Sequence, residues 1–255
     1  MTLRQARASG LGSRLVEGAA AGLVGAVIRA VYARQEPELA MLRTFVPTGG
    51  TAVDVGAWLG PWTARLRRRA DRVVAVEPMP RLAAGLRRAF PDVEVVQAAA
   101  SDRSGEAVLH VPAGGPVTGM SSLEPGTGVD VPVRSVRLDD LALTDVSFIK
   151  LDVEGHEVPA LRGAEATIRR DRPVLLIELE ERIQPVRPVV DLLAQWGYTA
   201  FVLPGRHWVP LADVDLGALQ RAGIARVSQS FARKVVSSRP RYVNMVLFRP
   251  TAGSA

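Results

Sequence analysis

The run Thr51-Ala52-Val53-Asp54-Val55 is apolar and β-branched apart from one acid, and it breaks into Gly56-Ala57-Trp58-Leu59-Gly60 ahead of the periodic segment Trp62 to Arg69. That order reads as a buried parallel strand, a tight turn and a helix start. Gly56 supplies a backbone that can take a positive φ or come close to a ligand, and Gly60 lets the helix start lie against the strand. A second apolar strand, Arg72 to Glu77, ends in Glu77-Pro78. Its acid falls about 20 residues beyond the glycine turn, where a carboxylate accepts hydrogen bonds from both hydroxyls of a ribose. A chain with this opening folds around a parallel sheet and carries an adenosine-type ligand at the strand ends.

Two details separate the site from one for a dinucleotide. The turn reads G-x-x-x-G, without the middle glycine that lets a pyrophosphate approach the helix N-terminus. Asp54 sits one residue before the strand end, where an anion repels a pyrophosphate but suits the cationic methionyl part of S-adenosylmethionine, directly or through water. The electrostatics point to a sulfonium cofactor and away from a nicotinamide-dependent oxidoreductase.

Helix and strand alternate from residue 36 onward, beginning with Leu39, Leu42 and Phe45 at helical spacing. Further strands are expected at Val93 to Ala98, Ala107 to Val111, Val146 to Asp152, Pro173 to Glu180, Thr199 to Leu203 and Tyr242 to Arg249. Helices are expected at Ala64 to Ala70, Pro80 to Phe90, Val158 to Asp171 and Pro188 to Trp196, each with an apolar stripe. The alternation predicts a doubly wound α/β sheet with helices on both faces. Pro112 to Asp130, rich in Gly, Pro, Ser and Thr, reads as a long loop, and Pro204 to Pro240 as an insertion between the last two strands.

A second acidic strand end follows in Lys150-Leu151-Asp152-Val153-Glu154-Gly155-His156-Glu157. Asp152 is expected at the carboxyl edge, Gly155 at a sharp turn and His156 at the head of the next helix. A neutral imidazole there can take a proton from an acceptor hydroxyl, or simply start the helix; Glu154 and Glu157 suit the helix dipole. The following strand ends in Glu178-Leu179-Glu180, whose two acids share a face. Asp152 and Glu178 can hold Mg²⁺ through oxygen ligands and water, or hydrogen-bond the acceptor with no metal.

Composition narrows the alternatives. With 255 residues, 47% of them hydrophobic, the chain can bury one sizeable core. It has no cysteine, which excludes disulfides, thiolate metal sites and a Cys nucleophile. Net charge is +6, but only Lys150 and Lys234 are lysines and the arginines are dispersed, so no nucleic-acid partner is expected. A C-terminal cluster, Arg233-Lys234 with Arg239 and Arg241, can meet an anionic substrate or lie in a solvated loop. The apolar run Gly18 to Ile28 is too short to span a bilayer and lacks a signal-peptide pattern. Residues 1–35 are therefore expected to form an N-terminal helical extension, residues 36–255 the main domain, and the setting to be cytoplasmic.

Four segments resemble the FkbM-type S-adenosylmethionine-dependent methyltransferases: Val53-Asp54-Val55-Gly56-Ala57 with Gly60, Glu77-Pro78, Lys150 to Glu157, and Ile177-Glu178. The resemblance covers roughly residues 36 to 203, and its most specific segment is D-V-E-G-H-E. It implies a class I methyltransferase (Rossmann-like) fold with a mostly parallel seven-stranded sheet and an antiparallel final hairpin. It implies methyl transfer, most commonly to oxygen, with the methionyl part among Asp54, Gly56 and Gly60, the ribose on Glu77, and the adenine near Ser101 and Asp102. The family's typical Asn after the first Gly-Ala is replaced by Trp58. The expected activity is O-methylation of a small-molecule hydroxyl, such as a sugar or polyketide intermediate in antibiotic biosynthesis. Alternatives are a carboxyl methyltransferase, which needs no base, and a non-catalytic fold that binds a partner or nucleic acid.

Overall fold

The computed structural model describes residues 36–111, 122–124, 128–227 and 242–251. The expected N-terminal extension and the C-terminal basic cluster lie outside the described residues. Strands β1 (Thr51–Val55), β2 (Arg72–Val76), β3 (Glu94–Val96), β7 (Val146–Leu151) and β8 (Val174–Glu178) pair in parallel in the order β3-β2-β1-β7-β8. Strand β11 (Met245–Pro250) then pairs antiparallel with both β8 and β9 (Tyr198–Val202). These seven strands are the class I sheet expected from the resemblance, with its reversed final pair. A two-residue strand, β10 (Val209–Pro210), extends the edge beyond β9, so the sheet has eight strands rather than seven.

The period of two along each strand divides the core into two layers. Val53, Val55, Ile149, Leu151, Leu175 and Ile177 face one side, where they pack with residues of Glu157–Arg162, Glu165–Asp171 and Arg187–Gln195. Ala52, Val73, Ala75, Phe148 and Leu176 face the other, against Pro37–Met41, Thr63–Leu66 and Pro80–Ala89. The same alternation, with Asp54 directly opposite Lys150 in the β1–β7 register, puts a buried acid beside a buried amine.

Two expectations are corrected. The segment Ala107 to Val111 is a strand, but β5 (Gly105–Val111) belongs to a separate three-stranded sheet with β4 (Ala99–Ala100) and β6 (Val129–Val136). Strand β6 begins within the expected loop and contains Pro132. The proline is tolerated because β4 pairs only with Ser135 and Val136, leaving β6 with one neighbour at that point. The single helix expected over Val158 to Asp171 is two helices, parted at Gly163 and Ala164. A Cβ on Gly163 would stand 1.9 Å from the Ser101 carbonyl oxygen, so the chain turns where another backbone crosses it.

Candidate active site

A cavity of about 400 Å³ opens at the carboxyl ends of β1, β2, β7 and β8. Of the candidate cofactor and catalytic residues read from the sequence, Gly56, Glu77, Pro78, Asp152, His156 and Glu178 line it, together with Trp58, Glu154 and Glu180. Asp54, Gly60, Ser101 and Asp102 do not.

Each of those four has another setting. Asp54 is fully buried; its Oδ2 accepts a hydrogen bond from the Thr63 hydroxyl at 2.5 Å, and its Oδ1 lies 3.9 Å from Lys150 Nζ. Burial pushes its carboxyl above the ordinary range, against the pull of Lys150. Gly60 has φ +78, and a Cβ there would come within 2.5 Å of the Phe90 ring, so this glycine serves helix packing. Ser101 Oγ lies 2.9 Å from His156 Nε2, and Asp102 faces Ser101 and Arg103.

The turn after β1 is shaped by its neighbours. Gly56 has φ +73, and its missing Cβ would sit 1.8 Å from the Asp152 carbonyl oxygen, so the close approach is to the end of β7. Trp58 follows at φ 50, a conformation costly for a bulky side chain and several-fold enriched in Asn. Its amide donates to Glu77 Oε2 at 2.9 Å, while the Met79 amide donates to Oε1 at 2.8 Å. Glu77 is thereby fixed at the end of β2 with lone pairs left for a ligand. Burial pushes its carboxyl up to about 7 although both amides pull it down.

The cavity has two chemically distinct ends. Met79, Leu82, Leu109 and Leu123, which pack in one apolar cluster, give one end apolar walls. Acids dominate the other, through Glu36, Asp152, Glu154, Glu178 and Glu180, with Lys150 and Arg182 among them. Lys150 Nζ donates to Asp152 Oδ2 at 2.9 Å and to the Gly56 carbonyl at 3.1 Å. Burial opposes its charge, yet Asp152 and Asp54 outweigh burial and hold the ammonium above its ordinary range. Glu178 is bonded by the Asn244 amide, and burial together with Asp152 drives its carboxyl well above the usual value. Burial pushes Glu154 up to about 8, as does the charge of Asp152; burial likewise takes Glu36, bonded by Trp62 Nε1 at 2.8 Å, up to about 8. Asp152, Glu154 and Glu178 each offer an oxygen within 4.8 Å of the others.

His156 is held on both ring nitrogens. Nε2 faces Ser101, and Nδ1 lies 2.7 Å from Glu124 Oε1. Glu124 belongs to a short segment laid over the site: Ser122 pairs with the backbone of His110, its hydroxyl reaches the Glu154 carbonyl at 2.5 Å, and Leu123 forms cavity wall.

Sequence reasoning passed over Lys150, Glu36 and Glu124. Lys150 had a readable signal, being one of two lysines in a chain that otherwise uses arginine and placed at the end of a buried strand. Glu36 and Glu124 are brought in from distant parts of the chain and carried no local signal.

The sequence profile of the FkbM methyltransferase domain matches residues 54–200. A search of the curated proteins finds no match. Among solved structures, the chain is similar to an FkbM methyltransferase from Methylobacillus flagellatus, with 19% identity and a TM-score of 0.48 over 78% of this chain and 43% of that one. It thus spans less than half the length of that protein. It is also similar to a precorrin-8w decarboxylase from Methanobacterium thermoautotrophicum (12% identity, TM-score 0.43, 88% and 89% covered). A third likeness is to a TehB-like S-adenosylmethionine-dependent methyltransferase from Corynebacterium glutamicum (14%, TM-score 0.39, 96% and 99% covered).

Proposed function

The chain belongs to the FkbM methyltransferase family, and from that premise we propose that it moves a methyl group from S-adenosylmethionine to a hydroxyl oxygen of a small molecule. The observation that carries the reading is the two-ended cavity at the strand ends. Its apolar end suits a flat base, the fixed carboxylate of Glu77 suits vicinal hydroxyls, and its acidic end suits a cationic ligand. The donor set therefore fits this cofactor. When bound, S-adenosylmethionine supplies a methyl group activated by the positive sulfur.

The protein's own contribution is alignment, exclusion of water and removal of a proton. Gly56 to Trp58 and Glu77 position the cofactor, and the Ser122–Glu124 segment covers it. Asp152 and Glu178 form a close carboxyl pair that takes the acceptor proton as the oxygen–carbon bond develops, with Lys150 holding Asp152 in place. His156, whose two nitrogens are both engaged, acts in this account by fixing the covering segment through Glu124. A hydroxyl acceptor accords with a site that contains proton-accepting carboxyls, and a natural-product intermediate such as a sugar or polyketide is the class we favour, in a cytoplasmic setting.

Convergence of Asp152, Glu154 and Glu178 favours a second reading in which they hold Mg²⁺. Transfer of labelled methyl to a panel of hydroxyl and matched carboxyl compounds, with and without Mg²⁺, tests both. Methylated alcohols without added metal support the main reading. Exclusive methylation of carboxylates would contradict it.

A further inference from the structure

We propose that the acceptor is a hydroxyl compound carrying a protonated amine, with the ammonium held at the carboxylate-lined end of the cavity. The inference rests on the methyl-transfer reading and adds the charge of the substrate to it. Among the described lining residues, Glu36, Asp152, Glu154, Glu178 and Glu180 face only two cations. Both cations are committed: Lys150 to Asp152 and the Gly56 carbonyl, and Arg182 to Glu180.

A carboxylate or phosphate acceptor entering this end would meet acids whose two neighbouring cations are already paired, whereas hydroxyls and an ammonium group bring further donors to carboxyl oxygens that can each accept more than one hydrogen bond. Glu36, brought into the lining from the far end of the chain and fixed by Trp62 Nε1 at 2.8 Å, adds a further carboxyl to this end.

The test begins with titration of the full chain by S-adenosylhomocysteine, so that failure of the methyl-transfer reading appears as absence of binding before any acceptor is present. Three shape-matched probes are then added to the loaded protein: methyl glucosaminide, methyl glucoside and methyl glucuronide. The glucosaminide should bind about tenfold more tightly than the glucoside, one favourable charge contact's worth, and the glucuronide most weakly. Glu36→Gln and Glu154→Gln should each reduce the preference. Equal binding of the three, a preference for the glucuronide, no binding of any of them by the loaded protein, or a requirement for Mg²⁺ in place of an amine preference would each overturn the proposal.

Discussion

At the scale of single residues, the site is built as much from what is absent as from what is present. Gly56 lacks a Cβ because the Asp152 carbonyl occupies that space, and its φ of +73 excludes ordinary side chains independently. Gly56→Ala should cost about 3 kcal/mol, combining left-handed strain with overpacking, and lower the melting temperature by roughly 10 °C. A melting curve checks this, and an unchanged one would contradict the reading. Trp58 occupies the same region of φ/ψ space without being glycine or asparagine. Trp58→Asn should relieve backbone strain by roughly 1 kcal/mol while removing a cavity wall, so stability and cofactor affinity should move in opposite directions. Measuring both on one protein sample tests it. Residues next to a strand end were readable because pattern and spacing place them; Glu77, Asp152 and Glu178 line the cavity as their strands predict. Asp54 was placed on the correct strand, but the inward side of that strand, which the apolar pattern does not mark at an acid, turns it toward Thr63 and Lys150.

At the scale of elements, long apolar strands were legible and short or half-exposed ones were not. Strand β6 alternates weakly, with six of its eight residues at least partly exposed, and its proline argues against a strand until one sees that it has a single neighbour there. The break at Gly163 answers to the backbone of Ser101, more than sixty positions away in sequence, so no local pattern could announce it. The Ser122–Glu124 segment is likewise a tertiary device, anchored by His110, Glu154 and His156. If His156 fixes this segment, His156→Ala and Glu124→Gln should each weaken cofactor binding about tenfold while turnover at saturation changes little. A large fall in turnover with affinity retained would instead make His156 the base.

At the scale of the whole molecule, the reversed β11 and the parallel β3-β2-β1-β7-β8 array gather the ends of four strands around one cavity, and the acids placed there are more numerous than the cations. No helix among the described residues is long and apolar enough to cross a membrane. The buried acids make stability depend on pH. Burial raises Glu36 and Glu154 to about 8 and Glu77 and Glu157 to about 7, from an ordinary 4.5. Above 4.5 the unfolded chain gives up protons that the folded chain retains, so the stability these groups contribute is complete below that value and is lost as pH rises through about 7 to 8. The ligand-free melting temperature should fall between about pH 5 and pH 9, and Glu36→Gln should flatten part of the slope; a rise over that interval would contradict the assignment.

The measurement that bears most directly on the central claim is calorimetric titration with S-adenosylmethionine and S-adenosylhomocysteine, run on wild type and Glu77→Ala with NAD as control. Binding of both sulfur ligands at roughly micromolar Kd, weakened at least tenfold in the variant and absent for NAD, is the predicted result. A folded wild-type protein that binds neither sulfur ligand would contradict the account.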